Sequence, residues 1–411
     1  MDRSELVDLL SPDGLRLLDS LPPWDNTSDV VRLVSDLRKA GHPQGLVTAV
    51  LGQSRLRAKA VAKFGDFAGR MLFTEAGLEQ ATRLNVAALH AGRFAAAGLN
   101  RVADLGSGIG SDSMALAALD LQVTAVDTDE VTATVASYNL APFDNAAVVH
   151  GDAETFDLTG FDAAWLDPAR RTAGHNNTSR LTRPEDYSPN LDFVFGLSER
   201  MPIGVKLGPG HDRAAIPAAA EAQWVSVDGK LVEMGLWFGA LARDGIRRSA
   251  LLLGRGGRHE LTAAADSVDV ESVSGEAGAP GSYLYEPDGA VIRAGLVAQV
   301  AHDLHGRLID ATIAYVTSDL LAPSPVVAAY RVLDDLPFSV KRLRAYLRAR
   351  DVGRLTVKKR GTAVTPEQLR GQLDLRGDGE TTVVLTRVAG AQRVLVVEPV
   401  SVRTVAEQGE R

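Results

Sequence analysis

The chain of 411 residues is too long for one ordinary hydrophobic core, so its length predicts two or three domains. Hydrophobic residues make up 45% and charged residues 23%, which is typical of folded proteins and excludes a disordered chain. The apolar stretches are short, and the segment Met1–Glu5 lacks a basic start and apolar core, which argues against a membrane span and a secretory signal. The lack of cysteine excludes disulfides and thiolate zinc sites, and fits a cytoplasmic protein.

The net charge of −8 is unevenly distributed along the chain. Between Lys341 and Arg376, eleven Lys and Arg residues accompany three acids, a balance of +8 that leaves −16 for the rest. Binding to phosphate depends on the local field and not on the total charge. The negative net charge argues against a nucleic-acid partner. The positive charge of the C-terminal region is nevertheless compatible with nucleic-acid binding there.

Residues 1–98 are predicted to be helical. Apolar residues recur at helical spacing over Leu6–Leu18 and Val30–Leu37, and proline-containing turns divide the helices. A further amphipathic helix, Leu78–Phe94, leads into the first predicted strand.

From Asn100 the pattern changes to short strands that alternate with helices. Helices such as Ser111–Leu119 and Glu130–Leu140 separate the first strands, which predicts parallel βαβ units and a doubly wound sheet. The last three strands lack long helices between them, so we expect them to pair as antiparallel edge strands. The predicted strands are Arg101–Leu105, Gln122–Asp127, Ala147–His150, Phe161–Leu166, Ile203–Leu207, Gln223–Val227, Leu231–Leu236 and Arg248–Leu253.

The remaining chain is predicted to form a linker, a connecting segment and a small α+β domain. Residues 266–282 are rich in Gly, Ser, Ala and acids without an apolar period, which is typical of a linker. The predicted domains are thus a helical N-terminal region (1–98), an α/β domain (99–265), this linker, a connecting α/β segment (283–335) and a basic C-terminal domain (336–402). Predicted elements after the linker are helices at Gly295–Leu308, Pro337–Arg350 and Pro366–Leu373, a strand at Leu355–Val357, and a hairpin of Thr381–Arg387 with Arg393–Glu398.

A glycine loop, Asp104–Gly110, lies where the first predicted strand turns into a helix. Glycine allows the backbone to approach a ligand because it has no Cβ, and the start of the helix offers free N–H groups. Asp112 is better explained as a cap of that helix than as a ligand contact. Alone, the loop also fits a dinucleotide-binding dehydrogenase or a plain strand–helix connection.

Two further acids follow the loop at intervals of one βα unit. Asp127 ends the second strand and Asp152 follows the third, at intervals of 23 and 25 residues. A carboxylate at Asp127 can accept both ribose hydroxyls, and Asp152 can meet an adenine amino group. Each acid alone is more often a helix cap or a solvated loop residue. Together with the loop they predict a nucleoside site at the C-terminal edge of the sheet.

Residues 102–171 resemble the class I S-adenosylmethionine-dependent methyltransferases. In that family an Asp-x-Gly-x-Gly-x-Gly loop precedes an acid that ends strand two and an Asp-Ala or Asp-Phe after strand three. The resemblance implies a doubly wound, mostly parallel, seven-stranded methyltransferase sheet and S-adenosylmethionine as the cofactor. The Gly-x-Gly-x-Gly spacing disfavours a dehydrogenase, which has Gly-x-Gly-x-x-Gly. By this resemblance Asp127 holds the ribose of the cofactor, and Asp152 with Ala153 holds the adenine. The residues that hold the methionine part are those of the loop: Asp104, Gly106, Ser107, Gly108 and Gly110.

The segment Asp167-Pro168-Ala169-Arg170 follows the fourth strand. It is similar to the (Asp/Asn/Ser)-Pro-Pro-aromatic motif of enzymes that methylate exocyclic amines of purines. There the acid or amide and a carbonyl bind the target N–H groups and aim the nitrogen lone pair. Here alanine replaces the second proline and arginine the aromatic residue, and arginine can stack on a base or pair with phosphate. The resemblance implies that Asp167, Pro168 and Arg170 are catalytic; the alternative is a strand-ending turn.

Two features near this motif are less specific. Arg171 opens a polar, basic loop that suits an anionic substrate but equally fits a solvated loop. Ala136 and Asn139, on the helix before the third strand, are arranged similarly to enzymes that hypermethylate the guanosine cap.

The C-terminal region, with Lys358–Gly361, Pro366–Arg370 and a hairpin ending at Pro399, resembles the THUMP-like domain. Domains of that name are associated with methyltransferases that act on RNA. The basic surplus agrees with a phosphate-binding surface, so Lys358, Lys359 and Arg360 are predicted to bind substrate. An ordinary solvated basic face is the alternative, because Tyr346 is the one aromatic residue interleaved there.

The sequence therefore predicts S-adenosylmethionine-dependent methyl transfer to a base nitrogen of RNA. The alternatives are a small-molecule or protein methyltransferase, and a non-catalytic RNA-binding protein that keeps the cofactor fold. No metal is expected, because His302 and His305 lie three residues apart without a third ligand and are interpreted as surface residues. The sequence indicates neither the RNA, the nucleotide, the atom methylated nor the oligomeric state.

Overall fold

The computed structural model describes residues 1–24, 30–170, 184–264 and 277–400. The chain divides into two compact units. The first contains residues 1–207, 212–220 and 236–243, and the second contains 208–211, 221–235 and the chain from 244 onwards. In the described ranges, no helix is both long enough and apolar enough to cross a membrane.

The N-terminal region is helical, as predicted. Side chains fix the helix starts: Asp2 and Glu5 form a capping box, and Ser11 caps the next helix, which has proline at its first position. The predicted helix Leu78–Phe94 is divided in two, because the chain is extended at Ala81 and the last carbonyls of the first part bind Lys63. The helices are α1 (Arg3–Leu10), α2 (Pro12–Ser20), α3 (Val30–Lys39), α4 (Gln44–Phe64), α5 (Glu75–Gln80) and α6 (Leu84–Ala96).

Alternating strands and helices follow, with most of the predicted bounds correct to within two residues. The elements are β1 (Arg101–Leu105), α7 (Ser111–Ala117), β2 (Gln122–Asp127), α8 (Glu130–Leu140), β3 (Ala146–His150), β4 (Ala163–Leu166), β5 (Ala169–Arg170), β6 (Tyr187–Ser188), α9 (Leu191–Leu197), β7 (Ile203–Leu207), β8 (Glu221–Val227), β9 (Lys230–Trp237), β10 (Ile246–Gly254) and β11 (Gly257–Ala264).

Nine of these strands form one sheet, in the order β11-β10-β8-β9-β7-β4-β1-β2-β3. Strand β1 pairs in parallel with β2 and β4, β2 with β3, and β4 with β7. The central strand β4 is buried throughout, which is typical of a parallel sheet covered on both faces. The fold is therefore the predicted doubly wound, mostly parallel sheet, and the carboxyl ends of β1, β2, β3 and β4 lie along one edge.

Two details of the sheet differ from the prediction. The sheet has nine strands, where the family resemblance implied seven and the sequence pattern predicted eight; the ninth, β11, was not predicted. The prediction that the last strands are all antiparallel was wrong, because β10 pairs in parallel with β8 and antiparallel with β11. A tight turn with positive φ at Asp228 and Gly229 makes β9 the neighbour of β8 on one side. Only the other edge of β8 then remains for β10.

The rest of the second unit is built on a separate seven-stranded sheet in the order β13-β14-β12-β15-β18-β17-β16. This sheet contains both the predicted connecting segment and the predicted basic domain. The predicted helix at Gly295–Leu308 is shorter, because a strand begins at Arg307. The elements are β12 (Tyr283–Pro287), α10 (Gly289–Ala294), α11 (Val297–Asp303), β13 (Arg307–Asp310), β14 (Ile313–Ser318), β15 (Val327–Pro337), α12 (Val340–Arg348), β16 (Val352–Lys359), α13 (Pro366–Leu373), β17 (Gly379–Val388) and β18 (Ala391–Val400).

Candidate active site

The glycine loop between β1 and α7 has the conformation that its sequence requires. Gly106, Gly108 and Gly110 have φ values of 86°, 56° and 86°, a region that side chains with a Cβ rarely adopt. The N–H groups of Gly106 and Ser107 donate to the Val126 carbonyl at 2.9 and 3.0 Å, which ties the loop to β2. The glycines thus hold a tight turn at the carboxyl end of β1.

Asp104, at the end of β1, is buried and carries an oxygen that can receive a ligand. One carboxylate oxygen accepts a hydrogen bond from Ser113, whereas Oδ1 and the nearby Ser107 hydroxyl have no partner in the described part of the chain. Burial raises the pKa of Asp104 to about 8, and the charges of Asp112 and Asp167 add to that effect. A buried acceptor of this kind fits a positively charged ammonium group, such as that of the methionine part of the implied cofactor.

Asp127 and Asp152 lie at the same sheet edge, as their spacing predicted. Asp127 Oδ2 accepts from the Gly108 N–H at 3.0 Å and Oδ1 from the Asp129 N–H at 2.9 Å. Burial raises the pKa of Asp127 despite these bonds. Asp152 is exposed and accepts from the Glu154 N–H at 2.9 Å, and Ala153 beside it is buried. These carboxylates retain further lone pairs for a nucleoside while they shape their own loops.

Asp167 follows β4 and lies against the glycine loop. Its N–H donates to the Leu105 carbonyl at 3.4 Å, and its own carbonyl lies 3.3 Å from where a Cβ on Gly106 would be. Pro168 is buried, and the backbone of Arg170 pairs with Tyr187 in the short ribbon of β5 and β6. The side chain of Arg170 and the whole of Arg171 lie outside the described residues. The predicted reactive acid and the predicted cofactor loop are therefore neighbours.

Behind Asp167 lies a set of polar side chains that the sequence analysis did not bring together, and of which it discussed Asp112 alone, as a helix cap. Lys206, on β7, places Nζ 2.5 Å from Asp167 Oδ2. The same Nζ donates to Thr82 Oγ1, and Thr82 donates in turn to Asp112, which contacts His90. One signal was available: Lys206 is a charged residue in an otherwise apolar strand. The prediction that Asp112 caps α7 was wrong: the N-cap is Gly110 without a side-chain hydrogen bond, and the buried Asp112 carboxylate contacts Thr82 and His90 instead.

Asn139 connects the glycine loop to the helical N-terminal region. Its side-chain amide donates to the carbonyls of Leu72 at 3.0 Å and Ile109 at 2.9 Å, and its oxygen accepts from the Leu72 N–H at 2.8 Å. Gln53 of α4 makes a similar pair of bonds with the backbone of Phe73. Asn139 is thus a buried structural tie between the N-terminal helices and the loop.

The predicted substrate-binding residues of the C-terminal region differ in their surroundings. Lys358 Nζ lies 2.6 Å from Glu286 Oε2, and the Arg360 guanidinium lies over the Tyr315 ring at 5.5 Å. Lys359 is exposed. Of the three, Lys359 alone extends its charge into solvent without an ion pair to any described residue.

Most other basic residues of this region are also engaged. Arg348 and Arg376 both approach Asp374, at 3.5 and 3.4 Å, and Arg354 approaches Glu380 at 3.5 Å. Exposed basic side chains without an ion pair to described residues are Lys341, Arg342, Lys359 and Arg370, of which Arg370 donates to the Leu355 carbonyl. In the part of the chain that the structure covers, no group of three or more His, Cys, Asp or Glu residues could hold a metal ion.

Known proteins resemble this chain in sequence and fold. The model of the THUMP domain-like family matches residues 327–399, and that of a domain of unknown function matches residues 2–60. Two relatives, from two strains of Mycobacterium tuberculosis, are 33% identical over 345 residues, which is 81% of this chain and 90% of theirs. Both are described as uncharacterized S-adenosylmethionine-dependent methyltransferases. A solved structure from Porphyromonas gingivalis W83, described as a candidate methyltransferase, has the same fold: the TM-score is 0.73 at 20% identity, over 97% of this chain and 98% of that one.

Proposed function

The chain belongs to the S-adenosylmethionine-dependent methyltransferases, and from that premise we propose that it methylates a base nitrogen of RNA. The observation that carries the proposal is the contact between Asp167 and the glycine loop, with the Asp167 carbonyl 3.3 Å from the Cβ position of Gly106. An acid beside the cofactor loop can orient an acceptor nitrogen towards a bound methyl donor.

We assign the cofactor to the edge formed by the glycine loop and the two acids after it. The methionine part falls to the segment Asp104–Gly110, where the unpartnered Asp104 Oδ1 and Ser107 hydroxyl support the assignment. The ribose falls to Asp127 and the adenine to Asp152 and Ala153. When bound, S-adenosylmethionine supplies an electrophilic methyl group on its sulfonium.

The acceptor nitrogen is positioned by the turn after β4. The Asp167 carboxylate and a carbonyl of the turn accept the nitrogen's N–H groups, which directs its lone pair away from ring conjugation. Pro168 fixes this turn, since its ring restricts φ and it has no N–H of its own. Methyl transfer would break the methyl–sulfur bond of the cofactor, leaving a neutral thioether, and form the carbon–nitrogen bond. The Asp167 carboxylate would stabilise the positive charge on the nitrogen until its proton passes to water. Arg170 and Arg171 remain our predicted contacts for the base or its phosphate.

We propose the C-terminal region as the RNA-binding part of the protein. The THUMP-like resemblance and the local charge of +8 support this assignment. Lys358 and Arg360 are occupied by Glu286 and Tyr315, so the phosphate contacts fall mainly to the exposed Lys341, Arg342 and Lys359. Cytoplasmic location remains a prediction.

Transfer of labelled methyl groups to total RNA tests the proposal. We expect the wild type to label RNA and Asp167→Ala to lose about 100-fold or more of the rate, while calorimetry shows unchanged cofactor affinity. Asp157→Ala, an acid in an exposed loop, is the matched control and should keep full activity. Nucleoside analysis then identifies the methylated atom. Labelling of protein or small molecules without RNA would contradict the proposal.

A further inference from the structure

A buried chain of polar side chains lies behind Asp167, and methyl transfer as proposed does not use it. Lys206 Nζ contacts Asp167 Oδ2 at 2.5 Å and donates to Thr82 Oγ1 at 3.0 Å. Thr82 donates to Asp112 Oδ2 at 2.6 Å, and Asp112 Oδ1 lies 2.9 Å from His90 Nδ1. Thr82, Asp112 and His90 are buried, and the Lys206 side chain is 11% exposed. We refer to these four residues, Lys206, Thr82, Asp112 and His90, as the Lys206 chain.

The direction of each hydrogen bond in the Lys206 chain is determined from its inner end. Burial raises the pKa of Asp112, but the hydrogen bond and charge of His90 outweigh burial, so that pKa is lowered. An ionised carboxylate only accepts, so the Thr82 hydroxyl donates to it. The Thr82 hydroxyl oxygen then accepts a hydrogen bond from the Lys206 ammonium.

The Lys206 ammonium donates through its three protons, and three acceptors among the described residues lie close to it. They are the Thr82 hydroxyl, the Gln80 carbonyl at 3.1 Å and the Asp167 carboxylate. Two of these acceptors lie at the end of α5 and just after it, and Lys63 binds the same stretch through the carbonyls of Leu78, Glu79 and Ala81. The ammonium is therefore fixed on one side, and its third proton is directed at Asp167.

We infer that Lys206 is a positioning residue that keeps the Asp167 carboxylate ionised and aimed at the acceptor nitrogen. The inference rests on the proposed role of Asp167. That carboxylate is half-buried close to Asp104, and a nearby acid and burial both favour a protonated acid. A protonated Asp167 would have one acceptor oxygen fewer for the target N–H groups. The adjacent cation opposes this protonation, and the rigid contact restricts the orientation of the carboxylate.

A purely structural ion pair would have a different experimental signature. If Lys206 only ties β7 to the segment before α6, its loss lowers stability and activity at every pH alike. If it keeps Asp167 ionised, its loss moves the acid limb of the rate profile to higher pH, because protonation becomes easier without the cation. Lys206 also lowers the pKa of the cofactor-binding acid Asp104, so the profile is measured with S-adenosylmethionine saturating at every pH. The pH dependence of kcat then distinguishes the two roles.

The experiment compares methyl transfer by wild type, Lys206→Met, Lys206→Arg and Thr82→Val from acid to alkaline pH. For Lys206→Met we expect an acid limb shifted up by about one pH unit or more and a kcat about 10- to 100-fold lower. Lys206→Arg keeps the charge and should restore the position of the limb. Thr82→Val keeps the Lys206 ammonium but removes one of its hydrogen-bond acceptors. It should therefore lower kcat and shift the acid limb little. Arg57→Met removes a cation of equal exposure, paired with Asp19 at 3.2 Å, and should leave the profile unchanged.

The outcomes separate this inference from the proposed function. An unshifted profile in Lys206→Met, or no restoration by Lys206→Arg, overturns the role of Lys206 even if RNA is methylated. If the wild type methylates another acceptor, the RNA proposal fails and the same pH comparison on that acceptor decides the role of Lys206. If the wild type binds S-adenosylmethionine by calorimetry but methylates nothing, both are wrong. If Lys206→Met does not fold, Lys206→Arg and Thr82→Val still test the inference. An acid limb of Lys206→Arg that lies at a higher pH than that of the wild type contradicts it.

Discussion

Each unit of the molecule contains a partly buried lysine that contacts a carboxylate. In the first unit Lys206 lies 2.5 Å from Asp167, and in the second Lys358 lies 2.6 Å from Glu286. The surroundings of the two carboxylates differ. Asp167 lies at the carboxyl end of a parallel strand beside a glycine loop, whereas Glu286 lies within an antiparallel sheet and also accepts from Tyr315 and Tyr330.

The comparison shows that a lysine–carboxylate ion pair does not by itself indicate a catalytic or binding site. Glu286 has its hydrogen-bonding capacity taken up by its own domain, so the Lys358 pair supports the sheet. The Asp167 pair lies where open α/β sheets bind ligands. We therefore expect substitutions at the first pair to affect chemistry and substitutions at the second to affect stability.

The largest expected effect comes from neutralising the two carboxylates. Asp167→Asn should lower kcat by roughly 100-fold or more, because the amide keeps the size of the side chain but stabilises a positive nitrogen poorly. Glu286→Gln should leave kcat within about twofold and lower the unfolding midpoint, because it weakens a partly buried network of hydrogen bonds. Labelled methyl transfer and thermal unfolding measure both. Equal losses of activity in the two variants would break the comparison.

An effect of intermediate size is expected at Asp104, on the pH dependence of cofactor binding to the first unit. Burial raises its pKa to about 8, so the free protein holds this acid protonated near neutral pH. An ammonium bound beside it favours the ionised form, so cofactor binding should release close to one proton, and affinity should fall as pH falls below about 8. Calorimetry in buffers of different ionisation enthalpy measures the protons released. Asp104→Asn should bind more weakly and release none; proton release that persists in this variant would rule out Asp104 as the source.

The smallest effect is expected from the lysines of the second unit. Lys359→Ala and Lys341→Ala should each weaken RNA binding a few-fold and lower the slope of log affinity against log salt by about one. Lys358→Met should leave that slope unchanged and lower stability by about 1 kcal/mol or less, because its pair is partly exposed. Filter binding at several salt concentrations checks both. A lower slope for Lys358→Met would mean that its pair opens to bind phosphate.

The parts of the fold that sequence predicts well are those governed by local pattern. The strands Arg101–Leu105, Gln122–Asp127 and Ile203–Leu207 have the predicted bounds, because each is a buried, mostly apolar run. The meeting of Asp104, Asp127 and Asp152 at one edge was predictable too, since parallel strands place their carboxyl ends together.

The parts that sequence did not predict depend on distant contacts. Lys206 meets Asp167 from the neighbouring strand, and Thr82 reaches Asp112 from the helical region. No local periodicity encodes either contact. The parallel pairing of β10 with β8 was missed for a related reason: its crossover contains no long helix, and a long helix was the signal used for parallel pairing.

The bond between Leu72 and Asn139 bears on the order in which the protein is made. The Leu72 amide is buried and obtains its acceptor from a residue 67 positions later in the chain. A ribosome releases the N-terminal helices first, so this amide stays without its native partner until α8 has emerged. Ile109, in the cofactor loop, shares that partner through its carbonyl. The helical region and the loop after β1 therefore share one buried hydrogen-bonding partner, Asn139, which is synthesised after both of them.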